Sequence, residues 1–160
     1  TADNCSSVKM TDVDKVLVPR PALFLGYSGL IPFIVLSVAL WLTPETYLPD
    51  VENALLLYAA IILSFMGAIH WGVAMARSDN PDAKVLMLSV IPALVAWFAS
   101  FIGGLVQWSI IYIAFAGLCV LDSVSTRQGN MPAWYPRLRV PLTLVVILCL
   151  INAQLALVLA

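Results

Sequence analysis

Five stretches of this sequence run without a single Asp, Glu, Lys or Arg: residues 22–42, 54–76, 85–105, 108–121 and 140–160. Apolar runs of this length constrain the fold more than any motif in the chain. A helix needs roughly 20 residues, at 1.5 Å each, to cross the hydrocarbon of a bilayer. Four of the runs meet that outright, and the 108–121 run does so by extending through Asp122 to Ser125. Lipid offers backbone N–H and C=O groups no partners, so helices are required rather than open strands. The expected architecture is an all-α integral membrane bundle of five transmembrane helices. A polar leader (1–18) precedes a transmembrane domain (19–160) with spans at about 22–42, 54–76, 85–105, 108–125 and 140–160.

Composition supports the same reading. Hydrophobic residues make up 62% of the chain and charged residues 11%, against about 45–50% and about 25% in soluble domains. Too few polar groups remain to coat a surface facing water. The net charge of −1 gives nucleic acid no reason to bind, so the expected surroundings are membrane lipids and other membrane-protein subunits. Cys5, Cys119 and Cys149 show no paired spacing, and the last two read as small buried hydrophobes. Residues 1–19 contain no apolar stretch of the signal-peptide kind, so no attached signal peptide is expected.

The breaks between runs carry turn chemistry. Thr43-Pro44 and Leu48-Pro49-Asp50 separate the first two spans, Ser78–Asp82 the next two, Gly103-Gly104 the third from the fourth, and the segment from Gln128 to Arg139 forms the longest internal loop. Pro32 and Pro92 are expected to kink spans one and three. Lys9, Lys15, Arg20, Arg77, Lys84, Arg127, Arg137 and Arg139 are all the cations of the chain. With five spans they fall in alternate segments, on one face of the bilayer. The positive-inside rule assigns that face, and with it the N-terminus, to the cytoplasm or matrix. Trp41, Tyr47, Trp108, Trp134 and Tyr135 are expected at the boundaries as an aromatic belt.

Ionisable groups inside a membrane span are costly and should face the bundle interior. The sole histidine, His70, lies seven residues before Arg77, roughly 10 Å from that helix end by rise. It reads either as a proton-relay or ligand-binding group, or as a neutral ring bonded to a neighbouring helix. Asp122 can pair with Arg77, Arg127 or Arg139, or approach His70, where it would orient the ring. Trp71, next to His70, is a further candidate for a ligand pocket. Ala60, Ser64, Gly67 and Trp71 follow one helical stripe, and Gly26 and Gly29 offer another close approach, so both read as helix packing. Asn152 and Gln154 read as polar bonds between helices. One histidine cannot supply bis-histidine haem ligation, and no HExxH, Cys/His cluster or phosphate-binding loop is present. No catalytic set and no metal site are expected. No cofactor is expected either, beyond a bound lipid, quinone or pigment.

Three stretches together resemble a known family. They are Pro19-Arg20-Pro21 with residues 25–33, residues 62–72 around His70-Trp71-Gly72, and Asp122 followed by residues 132–143 from Pro132-Ala133-Trp134-Tyr135 through Leu138-Arg139. Their order and wording are similar to an uncharacterised membrane-protein family, a domain of unknown function, with bacterial inner-membrane members and a mitochondrial relative known as a numbered transmembrane protein. The likeness covers about residues 19–155. It implies a multispan protein of a bacterial or mitochondrial inner membrane and singles out His70, Trp71, Asp122 and Arg139. Tiny loops and packing stripes without a catalytic set favour an accessory, stabilising or assembly subunit of a larger membrane complex, for example a respiratory or photosynthetic one. A small transporter or proton conductor using His70 and Asp122 is the first alternative. The second is a pocket for a quinone, lipid or pigment lined by His70 and Trp71.

Overall fold

The computed structural model describes residues 17–159, whose regular structure is entirely helical. Expectations for Cys5, Lys9, Lys15 and the leader through residue 16 lie outside the described residues. The helices are α1 (Arg20–Ser28), α2 (Ile31–Leu42), α3 (Leu48–Arg77), α4 (Ala83–Ile102), α5 (Gly104–Arg127) and α6 (Tyr135–Leu159), with a short 3₁₀ turn at Glu45–Tyr47. Together α1 and α2 form one span, and the others one each, giving five segments long and apolar enough to cross a membrane.

Local chemistry explains where the helices begin and end. Proline lacks an N–H but is tolerated in a first helical turn, where that donor has no intrahelical acceptor. Pro32 has no N–H for the Ser28 carbonyl, and the first span is interrupted at Gly29–Leu30, after which α2 begins. Tyr58 Oη donates to the Gly29 carbonyl across 3.0 Å at this break. Pro49 likewise sits in the first turn of α3, which starts before the expected residue 54. Asp82 caps α4, its Oδ1 accepting the Lys84 N–H at 3.0 Å. That helix ends at 102 rather than 105, because Gly103 (φ 69°) and Gly104 (φ 56°) adopt backbone conformations that strongly favour glycine. α6 starts at Tyr135, five residues before the expected 140, and so carries Arg137 and Arg139 on a helix instead of in a loop.

Each span packs against the next, and α6 returns to α2, closing a ring of five with α3 also touching α5. Arg20, Arg77, Lys84, Arg127, Arg137 and Arg139 gather at one end, hereafter the basic end, while Glu45, Asp50 and Glu52 lie at the other. Phe33, Leu55, Leu63, Ile111, Phe115 and Leu150 fill the interior, with the Phe33 ring edge-on to Tyr58 and Phe115. Outward faces carry side chains such as Phe101 (70% exposed) and Ile113 (73% exposed). Water would reject such a surface, whereas lipid solvates it. Serine and threonine hydroxyls, including those of Ser64 and Ser123, bond back to carbonyls of their own helices.

The tightest helix contact is a glycine notch. A Cβ on Gly67 would stand 2.5 Å from the Ser89 carbonyl oxygen and 3.1 Å from Pro92 Cγ. Gly67 is thus what lets α3 seat against the proline-bearing turn of α4. Gly26 meets α6 at Leu138 and Leu142, while the nearest atoms to a Cβ on Gly29 belong to its own helix. Ser64 and Ala60 lie half-buried one and two turns before Gly67. Asn152 Nδ2 donates to the Ser37 carbonyl at 3.3 Å, and Tyr112 Oη donates to Gln154 Oε1 at 2.5 Å, so both of these α6 side chains bridge to neighbours.

Two belt assignments need correction. Trp41 and Tyr47 are exposed, but Trp108 and Tyr135 are buried inside the bundle. Trp108 can lie there because Glu52 Oε1, from α3, accepts its indole N–H at 3.0 Å. Trp108→Phe removes that bond and, at this buried site, also part of the ring's packing. Unfolding titrations in mild detergent are expected to show a loss of about 1–2 kcal/mol; an unchanged midpoint would mean the bond contributes nothing to stability.

Candidate functional site

Near the basic end, three helices each contribute one ionisable side chain to a single cluster. His70 comes from α3, Asp122 from α5 and Arg139 from α6. Asp122 stands at the centre, with Oδ1 2.8 Å from His70 Nε2 and Oδ2 accepting from Arg139 Nε at 2.7 Å. Side-chain exposure is 1% for Asp122, 5% for Arg139 and 13% for His70. Thr126 Oγ1 also donates to the Asp122 carbonyl at 2.9 Å, tightening this turn of α5.

Charge balance accounts for the arrangement. Removing a carboxylate and a guanidinium from water costs several kcal/mol each, which only close pairing and further hydrogen bonds offset. Here each carboxylate oxygen has its own partner. An ionised carboxylate only accepts hydrogen bonds, so the proton on the shared edge belongs to His70 Nε2. The neutral ring then leaves Nδ1 as an acceptor, and a protonated ring makes it a donor. No other hydrogen bond engages the His70 ring among the described residues. Asp122 thereby fixes both the tautomer and the pose of the histidine.

The exposed edge of His70 opens into a cleft of about 390 Å³ between α3, α4, α5 and the loop that follows α5. Val73, Ala74, Val85, Leu88, Leu118 and Leu121 give it apolar walls, while Ser78, Asp82, Ser125, Gln128 and Asn130 bring polar groups. Arg77 lines it too, but its Nη1 donates to the Gly129 carbonyl at 2.7 Å, tying the end of α3 to the loop. Apolar walls with a few converging polar groups are the usual make-up of a small-molecule site.

The expected site residues divide cleanly. Structure brings His70, Asp122 and Arg139 together and sets Arg77 at the rim of the same cleft. Trp71 is not part of it: 41% exposed, its indole N–H donates to Met75 Sδ at 2.8 Å along the outer face of α3. Trp71 points about 100° away from its neighbour His70 on the helix, and it does not line the cleft. Arg127 lies outside the cluster, beside a surface groove between α5 and α6. Cys119 and Cys149 are free and half-buried. Among the described residues, no three His, Cys, Asp or Glu side chains are grouped to hold a metal ion.

Sequence reasoning overlooked part of the site. Tyr135 Oη, Arg139 Nη2 and Thr143 Oγ1 are buried without a hydrogen-bond partner, and they recur every fourth residue along one face of α6. The Tyr135 phenol lies within electrostatic reach of both Asp122 and Arg139. Polar residues spaced four apart at positions 135, 139 and 143 of α6 were the available signal, hidden because the first two were read as loop. On α3, the i, i+3, i+4, i+7 spacing of His70, Val73, Ala74 and Arg77 marked the cleft wall.

Five apolar spans around a buried charged cluster define a multi-pass α-helical membrane protein. The chain belongs to the family described as protein of unknown function DUF3429, which matches residues 18–155. It is similar to transmembrane protein 69 of Xenopus tropicalis, 34% identical over 138 residues covering 84% of this chain and 54% of that protein. It is also similar to transmembrane protein 69 of Mus musculus, 30% identical over 129 residues covering 79% and 52%. The chain thus spans about half the length of the curated relatives it matches. No solved structure matches it.

Proposed function

We propose that this chain is a non-catalytic binding protein for an amphipathic molecule resident in the membrane, of the quinone or lipid class, whose polar head bonds to His70. One observation carries the reading: His70 opens into an amphipathic cleft with its Nε2 edge held by Asp122, leaving one ring nitrogen for a ligand. A histidine serving only helix packing has no need of a cleft on its free side. The basic end is assigned to the cytoplasm or matrix by the positive-inside rule, and the membrane to a bacterial or mitochondrial inner membrane. The same holder can work inside an accessory subunit of a larger complex, and the site favours ligand binding as its own contribution.

The test is retention of a benzoquinone by the purified chain in lipid nanodiscs, corrected against empty discs. His70→Phe is expected to weaken retention roughly three- to tenfold, the effect of one hydrogen bond of about 0.5–1.5 kcal/mol. Equal retention by wild type and variant would remove His70 from the reading. Proton flux through wild-type proteoliposomes that vanishes in His70→Phe would replace binding by conduction.

A further inference from the structure

We propose that the ligand has an electrically neutral head and a single apolar tail, and that the tail lies in the groove between α4 and α5. This inference rests on the binding reading above and specifies what the site takes. A second groove, of about 280 Å³, begins where the His70 cleft ends, and Leu88, Leu118 and Leu121 line both. Beyond them its walls are wholly apolar, with Pro92 and Val95 from α4 and Ile110, Ala114 and Gly117 from α5 among them. It runs away from the basic end, following α5 from Leu121 to Ile110 for roughly 16 Å at 1.5 Å per residue. Polar groups therefore occur only at the His70 end, and the polarity falls in the direction of the bilayer centre.

Small residues keep the groove open. A Cβ on Gly117 would meet no heavy atom within 4 Å, so no packing partner explains a glycine there, although glycine weakens a helix interior. The head class follows from charge. The cleft is lined by one cation and one anion, Arg77 and Asp82. The Arg77 guanidinium already bonds the Gly129 carbonyl, and Asp82 caps α4. Arg77 and Asp82 together leave these walls without net charge to draw a phosphate, whereas a neutral quinone–quinol head suits His70 in both of its forms, beside neutral hydroxyl and amide groups. The quinol hydroxyl donates to Nδ1 of the neutral ring, and the quinone carbonyl accepts from Nδ1–H of the protonated ring. A neutral, tailed quinone has the required chemistry.

The experiment compares a decyl-tailed benzoquinone with its tail-free counterpart on the full chain in nanodiscs, using wild type, Gly117→Phe and Ala114→Leu. Both substitutions put bulk into the groove and leave the cleft alone. The expected result is at least a tenfold loss of the tailed probe, with the tail-free probe bound within twofold of wild type, which also certifies the folded site. If both variants hold the tailed probe as wild type does, the groove is not the tail site, while the binding reading survives. Wild type retaining neither probe defeats that reading itself. Native mass spectrometry showing an anionic phospholipid retained in place of either quinone overturns the neutral head.

Discussion

Replacing Asp122 with alanine is expected to destabilise the bundle by about 3–5 kcal/mol, the range for removing one partner of a buried ion pair. Arg139, 4% exposed, would keep its charge without its carboxylate partner, and the His70 ring would lose its hydrogen bond to Asp122. The loss should appear as a marked fall in the midpoint of detergent-phase unfolding, and Asp122→Asn should fall nearly as far because shape is preserved but charge is not. The paired replacement Asp122→Leu with Arg139→Met removes both charges and should recover most of the stability, since apolar residues of similar volume commonly replace a buried pair at little cost. An Asp122→Ala protein that unfolds with the wild type would show that the cluster is not a desolvated pair.

The second large effect concerns two glycines on one helix, expected to respond with opposite sign. Gly67→Ala places a methyl 2.5 Å from the Ser89 carbonyl, an overlap that only backbone movement relieves. Overpacking of this kind typically costs about 1–3 kcal/mol, and here it pries α3 from α4. Gly72→Ala meets nothing within 4 Å, so it should stabilise α3 by up to about 1 kcal/mol through helix propensity alone. Thermal unfolding of both variants in one detergent reads the contrast. Similar shifts of the same sign would mean that the notch does not set the α3–α4 distance.

The spans were legible because lipid leaves a polypeptide so few choices. Uncharged runs of the required length had to be helices, and the Gly103-Gly104 break was written in residue type. Boundaries next to proline were harder to read. Pro49 and Pro136 look like loop chemistry, yet both occupy first turns, and the misreading of Pro136 placed Tyr135 and Arg139 in a connection. Helix rotation was the deeper obstacle. In water, a polar face tells which side of a helix points outward; here the outward side is as apolar as the core. Nothing along α5 therefore showed that Asp122 turns toward both His70 and Arg139. Trp108 and Tyr135 were misplaced for the same reason, because an aromatic residue near a span end suits either the interface or the interior.

Asp122 and Arg139 are separated by only 17 positions, and that short distance matters while the chain is being made. They belong to consecutive spans joined by a brief loop, so the acid and the base emerge from the ribosome almost together. A hairpin of these two segments would bring Asp122 and Arg139 into lipid already paired, and neither would have to wait for a distant portion of the polypeptide. His70, synthesised well before, would then meet a carboxylate that already has its guanidinium partner.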